Sequence, residues 1–489
     1  PYTPSPMAID TSAPPEAASA PDRASARPRP GGTADWLLPL LLLVVAGTLR
    51  FYNLGYPERI YFDETYYATQ AQEYLTRGVE KDFAVHPPLG KWLIATGVAA
   101  TTYDAFGWRL ASAVAGTLLV GMTYLLGLRL FRRRGVAALA AFLLAVDGLA
   151  LTMSRIAMLD IFLALFVALG VWLLLLDRDA TWAGRAELDP DRPLPRRPHR
   201  WRWLAGVAFG LALATKWSAV LAIAGAGLFV LASEMVWRRQ LTGSAWTNWF
   251  RIYASGLLTL LVVPLVTYVA SYAGWFAHFP DTRPGREQCA EQPCDATAPQ
   301  VVSAWFSEQR DIAEFHTDLE AEHTYRSNPF GWLVLYRPVA YYYESCTDDK
   351  LAKGTCVTEQ GNVEEILGLG NPAVWWAALL AYPFLGWLAV TRRDWTALVP
   401  LGFLLVQYLP WLLAPRPNFL FYLMPATPFV CLALAQAAWR GSRHPFLRWL
   451  PAALAILAVS AFVFWYPVWS GIELPTEVWR RRMWFPSWV

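Results

Sequence analysis

The stretch Tyr61–Lys91, YFDETYYATQAQEYLTRGVEKDFAVHPPLGK, separates two long apolar runs. It holds an adjacent acidic pair, Asp63-Glu64, a row of tyrosines and a rigid His86-Pro87-Pro88. A tether between two membrane helices needs neither this length nor these groups, so the segment reads as the catalytic loop of a membrane enzyme.

Working outward, 55% of the residues are hydrophobic, only 16% are charged, and the mean hydropathy is positive. Apolar runs of about 20 residues recur, each long enough to cross the hydrocarbon core. The fold class is an all-α polytopic membrane protein. A net charge of +3 is too small to point to a nucleic-acid partner, so the placement of the basic residues matters more than their sum.

Residues 1–34, rich in Pro, Ala, Ser and Arg, have little to bury and are expected to form a disordered cytoplasmic tail. Arg23, Arg27 and Arg29 precede the first apolar run, Trp36 to Tyr52, which puts the N-terminus inside and the acidic pair outside. The weaker run 89–104 is read as juxtamembrane, because Arg132-Arg133-Arg134 after the run Trp108 to Phe131 then falls inside. The further spans are 135–152, 156–176, 202–215, 217–237, 250–273, 371–390, 396–414, 418–439 and 449–470, eleven in all.

The inner turns of this scheme, including the tract Arg178 to Arg202, are all basic. The chain then divides into an N-terminal transmembrane module over 35–273 with its first outer loop at 53–107, a large outer loop over 274–370, a C-terminal transmembrane module over 371–470 and an outer tail over 471–489. Asp63, Glu64, His86, Arg155, Asp160, Lys216 and Arg416 collect at the outer end. That places a candidate active site at a membrane boundary.

Each motif carries a plainer alternative. Adjacent carboxylates raise one pKa and create a base, but Asp63 also suits the N-cap of a helix over ETYYATQAQEYL. His86 before two prolines is a held imidazole or a simple turn. Arg155 and Asp160, with Asp147 nearby, frame SRIAMLD either as functional groups or as a structural Arg155–Asp160 pair. Lys216 presents an ammonium to a phosphate or snorkels to the interface. Arg416 before an apolar helix suits a phosphate.

HTYRSNPFGWLVLYRPVAYYYES, residues 323–345, is a stacking platform or interfacial packing. Cys431 reads as core. Cys289, Cys294, Cys346 and Cys356 allow three pairings; in an oxidising compartment the close spacings favour Cys289–Cys294 and Cys346–Cys356, and the rival metal site lacks histidines at zinc-ligand spacing.

FDE at 62–64, FAVHPPLGKWLIA, DGLALTMSRIAMLDIFL, ATKWS, the 323–345 segment and FLFYLMPATPF together resemble the bacterial, actinobacterial-type protein O-mannosyltransferases, glycosyltransferase family 39 of the GT-C fold. The resemblance implies inverting transfer of mannose from polyprenyl-phosphate mannose to Ser or Thr hydroxyls of exported proteins. It places the active site at the extracytoplasmic face of the plasma membrane and leaves open whether acceptors are taken during translocation. It carries Asp63 over as the catalytic acidic residue, Glu64 as its partner and Arg155 as the required arginine. Arg155, Lys216 and Arg416, with His86, are expected at the donor phosphate or sugar, because a departing lipid phosphate needs cations. Asp147 and Asp160 are expected to support the site.

No cofactor is expected, and a divalent cation is left open. The β-trefoil insert of eukaryotic members is missing from the large loop. Two other classes stand beside this one: a GT-C transferase with a lipid or glycan acceptor, and a transporter. A transporter should show internal repeats and polar groups at the midplane, neither of which is visible.

Overall fold

The computed structural model describes residues 34–183, 199–289, 296–320 and 323–489. Almost all of the expected N-terminal tail, the middle of the basic tract Arg178 to Arg202, and Cys294 with its proposed pairing lie outside the described residues.

Backbone groups in hydrocarbon must be satisfied within their own segment, so the apolar runs become helices. In chain order they are α1 (Ala34–Phe51), α2 (Glu64–Arg77), α3 (Leu89–Ala100), α4 (Ala105–Phe131), α5 (Arg134–Ala145), α6 (Gly148–Met153), α7 (Asp160–Ala183), α8 (Arg200–Leu213) and α9 (Ala219–Thr242). The helix Trp249–Ser271 follows, then Pro372–Thr391, Trp395–Leu413, Leu420–Gly441 and Pro445–Ser470. Among the described residues, eight helices are long and apolar enough to cross a membrane. The shorter α1, α5 with α6, and α8 fill the other expected spans. α3, with 12 residues, is about 18 Å long, well short of the hydrocarbon core.

The expected span 135–152 is not one helix. It breaks at Val146-Asp147, where the Asp147 carboxylate accepts from Ala150 N at 2.9 Å and so starts α6. Its other oxygen accepts from Asn371 N at 2.9 Å and Trp375 Nε1 at 2.8 Å. The carboxylate thus stitches the break to the start of the helix Pro372–Thr391. Farther along, a π-helical turn over Leu258–Val262 turns the Thr259 carbonyl towards Gly206, where any Cβ would lie 2.0 Å from that oxygen. α8 can pack this closely only because residue 206 is glycine.

The all-α expectation needs one addition. β1 (Ala340–Ser345), β2 (Asn362–Leu367) and β3 (Leu474–Pro475) form an antiparallel sheet in the order β1-β2-β3, with Tyr343 opposite Glu365 and Val363 opposite Leu474. Segment 471–489 is therefore not a loose tail. Trp479 Nε1 donates to Glu365 at 2.6 Å, Arg337 to the Ser487 carbonyl at 2.8 Å, and Trp488 Nε1 to the Leu335 carbonyl at 2.7 Å. Cys346 and Cys356 are disulfide-bonded, and Cys431 is a buried free thiol.

Candidate active site

The two adjacent carboxylates go separate ways. Glu64 is fully buried in the first turn of α2 and receives Arg109 of α4 in a two-point ion pair, Nε at 2.8 Å and Nη2 at 3.0 Å. Ala157 N also donates to it at 3.0 Å. Arg109 is itself fully buried and spends its remaining donors on the carbonyls of Leu54 (3.2 Å), Pro57 (3.0 Å) and Arg59 (2.8 Å). This pair pins the loop to α4 and to the turn before α7.

Asp63 is the N-cap of α2 by position, yet its side chain makes no capping bond. It is half-buried and faces an ion pair in which Lys216 Nζ lies 2.9 Å from both carboxylate oxygens of Asp160. Burial pushes the Asp63 carboxyl up to about 6; Lys216 opposes the shift and Asp160 adds to it. The expected Arg155–Asp160 pair does not form, because Asp160 opens α7 facing the α8–α9 turn, where Lys216 sits. That ammonium also lies 4.8 Å from the centre of the Tyr422 ring.

Arg416 completes the mouth of the site. One guanidinium nitrogen donates to His316 Nδ1 at 2.6 Å and the other to Tyr422 Oη at 3.1 Å, while its buried Nε has no partner among the described residues. His316 Nε2 meets the Val85 carbonyl at 3.0 Å, so this nitrogen carries the proton and the ring is neutral. Burial and the neighbouring Arg416 lower its pKa to about 4. His86 stacks on His316 at 5.2 Å and lies 6.2 Å from the ring of Tyr67. Burial first, then Lys216, hold its imidazole well below the usual range. Arg416 also lines an open cleft of about 660 Å³ with Arg326, Asn328, Phe330 and Trp411. Phe62 beside Asp63 packs on Tyr341 at 4.9 Å and Phe421 at 5.9 Å, which brings the 323–345 segment to the site.

Arg155 is elsewhere. Its guanidinium donates to the carbonyls of Leu49 (3.3 Å), Arg50 (3.2 Å), Tyr52 (2.5 Å) and Asn53 (3.2 Å), closing the C-terminal end of α1. The structure therefore gathers Asp63, Asp160, Lys216, His86 and Arg416 at the mouth, and sets Glu64, Arg155 and Asp147 in the scaffold below. Sequence reasoning passed over Arg109, His316 and Tyr422. Arg109 had a signal, being a lone cation at the start of an apolar run, where charge is costly unless paired. His316 had none and Tyr422 only its place in FLFYLMPATPF, since the fold alone brings them to Arg416.

A helical bundle with a polar site at one end, beside a small sheet-bearing domain, is the architecture of the GT-C fold. The architecture is similar to the Saccharomyces cerevisiae Pmt1-Pmt2 protein O-mannosyltransferase complex bound to the sugar donor, with a TM-score of 0.75 at 15% identity over 94% of this chain and 93% of that one. It is also similar to ArnT from Cupriavidus metallidurans bound to undecaprenyl phosphate, with a TM-score of 0.52 at 16% identity over 92% and 75%.

The model of the dolichyl-phosphate-mannose-protein mannosyltransferases matches residues 40–105 and 99–279, and that of the C-terminal four-span region of protein O-mannosyltransferases matches 301–488. The polyprenol-phosphate-mannose–protein mannosyltransferase of Mycobacterium tuberculosis is 32% identical over 93% of this chain and 92% of its own length. That of Corynebacterium glutamicum is 31% identical over 87% and 88%. The chain belongs to the protein O-mannosyltransferase family, and it is a membrane mannosyltransferase.

Proposed function

We propose that the protein transfers mannose from polyprenyl-phosphate mannose to Ser or Thr hydroxyls of exported proteins, with inversion at the sugar carbon. The reaction takes place at the extracytoplasmic face of the plasma membrane, with the N-terminus in the cytoplasm. The observation that carries this reading is Asp63: among the described residues it alone of the adjacent pair makes no side-chain capping bond or ion pair, and it faces the Lys216–Asp160 pair.

As the acceptor oxygen forms its bond to the anomeric carbon, its proton passes to Asp63. A carboxyl raised to about 6 is still mostly ionised at neutral pH, yet is a stronger base than an exposed carboxylate. The bond from the anomeric carbon to the phosphate oxygen breaks, its electron pair stays on the phosphate, and no general acid is needed. Charge grows on that phosphate, and Arg416, whose Nε is unpartnered, and Lys216 are the cations placed to meet it. We assign Arg155 to positioning α1 and the loop that follows it, because its donors are already engaged by backbone carbonyls. With two cations at hand, the step is read as independent of a divalent ion.

One experiment tests reaction, acceptor and side together. Sealed right-side-out vesicles carrying the protein receive labelled polyprenyl-phosphate mannose and a membrane-impermeant Thr-rich peptide outside, with EDTA present. Label should appear on the peptide, and not when the vesicles are inside-out. Label found only on lipid or glycan would favour the other acceptor class, and transfer confined to inside-out vesicles would reverse the orientation.

A further inference from the structure

The proposed chemistry leaves a proton on Asp63 after each transfer, and that group stands in a confined, cationic neighbourhood. Lys216 and Arg416 both bear on His86, farther along the same loop. Tyr67 stands in the field of Asp63 and Asp160, and its ring lies 6.2 Å from that of His86.

Beyond His86 carboxylates outnumber cations. His86 lines a small pocket together with Glu80, Asp82, Thr282, Arg283 and Glu308. Glu80 is 9% exposed, and its Oε1 takes the buried ammonium of Lys91 at 3.0 Å while its Oε2 has no partner. The Nδ1 of His86 is also buried without a partner among the described residues. Two unpartnered buried polar atoms around one small polar cavity are the setting in which proteins hold water. At the far end Asp82 is open to solvent, its side chain 81% exposed.

Glu308 lies between the two ends, on the helix Ala298–Thr317, and is 7% exposed. The charged groups around it are Arg283, at 3.7 Å from the helix Arg283–Gln288; Asp311 on its own helix, which takes the shorter contact from Arg283; Glu80 from the loop after α2; and Lys91 of α3. With Arg283 turned mainly to Asp311, Glu308 is left only loosely paired.

We propose that this pocket is the exit for the catalytic proton, with His86 and Glu308 as its relay residues. The inference rests on the functional reading above. The acceptor O–H bond breaks as the new glycosidic bond forms, and the proton goes to Asp63. It then moves by way of the Tyr67 hydroxyl and the His86 ring to pocket water and the Glu308 carboxylate, and from there past Asp82 to solvent. Asp63 is left ionised for the next acceptor. The direction follows from the charges: Lys216 and Arg416 stand behind the proton, while ahead of it the carboxylates Glu80, Asp82 and Glu308 outnumber the cations Arg283 and Lys91. Burial raises the Glu308 carboxyl to about 7, which suits a group that must take and give up a proton near neutral pH.

The test is the pH dependence of kcat for purified full-length protein with polyprenyl-phosphate mannose and a Thr-containing peptide, over pH 5.5 to 8.5. Glu308→Gln should lower kcat about fivefold to tenfold at pH 7 with donor KM within about twofold, and formate in the buffer should restore the rate. Glu308→Asp should keep most of the activity, and melting temperatures of both variants should stay near that of the parent. A Glu308→Gln protein with parental kcat across the pH range overturns the relay, as does a loss that neither formate nor aspartate relieves. A parent protein that transfers no mannose at all sinks the functional reading, and the relay with it; an active parent with an unimpaired variant sinks the relay alone.

Discussion

Two regions a few residues apart use the same side-chain chemistry to opposite ends. In the floor of the site, Glu64, Arg109 and Arg155 have donors and acceptors matched to partners, most of them backbone. At the mouth, among the described residues, Asp63 has no capping bond, Arg416 keeps a bare Nε and His86 a bare Nδ1. A buried group without a partner costs free energy, so a protein that saturates one carboxylate and leaves its neighbour open holds the second ready for something absent. Adjacency in sequence therefore says little about role: the α2 helix start turns one carboxylate into the scaffold and the other towards the ligand side.

Asp63→Asn should break the mouth alone. Transfer should fall by about a hundredfold or more while donor binding persists. For the parent, the rate should rise with pH through about 6 as Asp63 ionises, and Asp63→Asn should lose that limb. The stability sign runs the other way. A carboxyl whose folded pKa lies above its unfolded value favours the neutral acid, so its ionisation costs native stability once the pH passes the unfolded value. The melting temperature of Asp63→Asn at pH 7 should accordingly hold or rise; a fall would show that this carboxylate is scaffold too.

Glu64→Gln should do the reverse. It leaves the Arg109 guanidinium buried without its counter-charge, a change on the order of 3–5 kcal/mol when one member of a buried pair is lost. Unfolding in detergent should come markedly earlier, while turnover per folded molecule drops by about tenfold at most. A stable Glu64→Gln protein with Asp63-like loss of turnover would merge the two regions into one catalytic dyad.

Arg155→Ala gives the smallest effect on turnover, within about threefold, together with a loss of about 1–3 kcal/mol of stability as the end of α1 loses its donors. Asp160→Asn should not resemble it, since Asp160 pairs with Lys216. Donor dissociation constants and melting temperatures of both variants check this. Weakened donor binding at unchanged stability in Arg155→Ala would move that arginine to the mouth.

What was legible in the sequence follows from where the cost of misplacement is one-dimensional. An apolar run in a bilayer has little choice, so the spans, the short α3 and the gathering of Asp63, Lys216 and Arg416 at one end could be read from hydropathy and basic turns. The break at Val146-Asp147 could not, because the carboxylate that makes it tolerable finds its partners at Asn371 and Trp375, across the fold. The partners of Arg155 were illegible for a related reason: they are carbonyls, which every residue has and no sequence pattern marks. The strand β2 over NVEEIL is too short and too acidic to stand out, and it pairs with a two-residue strand that follows the last span.

The small sheet also acts as a parity check on the membrane crossings. β2 and β3 are hydrogen-bonded neighbours, so the number of crossings between them is even, and the helices Pro372–Thr391, Trp395–Leu413, Leu420–Gly441 and Pro445–Ser470 supply four. Tyr56 donates to Glu364 of β2, which fixes the same rule for the first half of the chain. α4, α5 with α6, α7, α8, α9 and Trp249–Ser271 make six; were α3 to cross as well, the count would be seven, and Tyr56 and Glu364 would face each other from opposite sides of the bilayer.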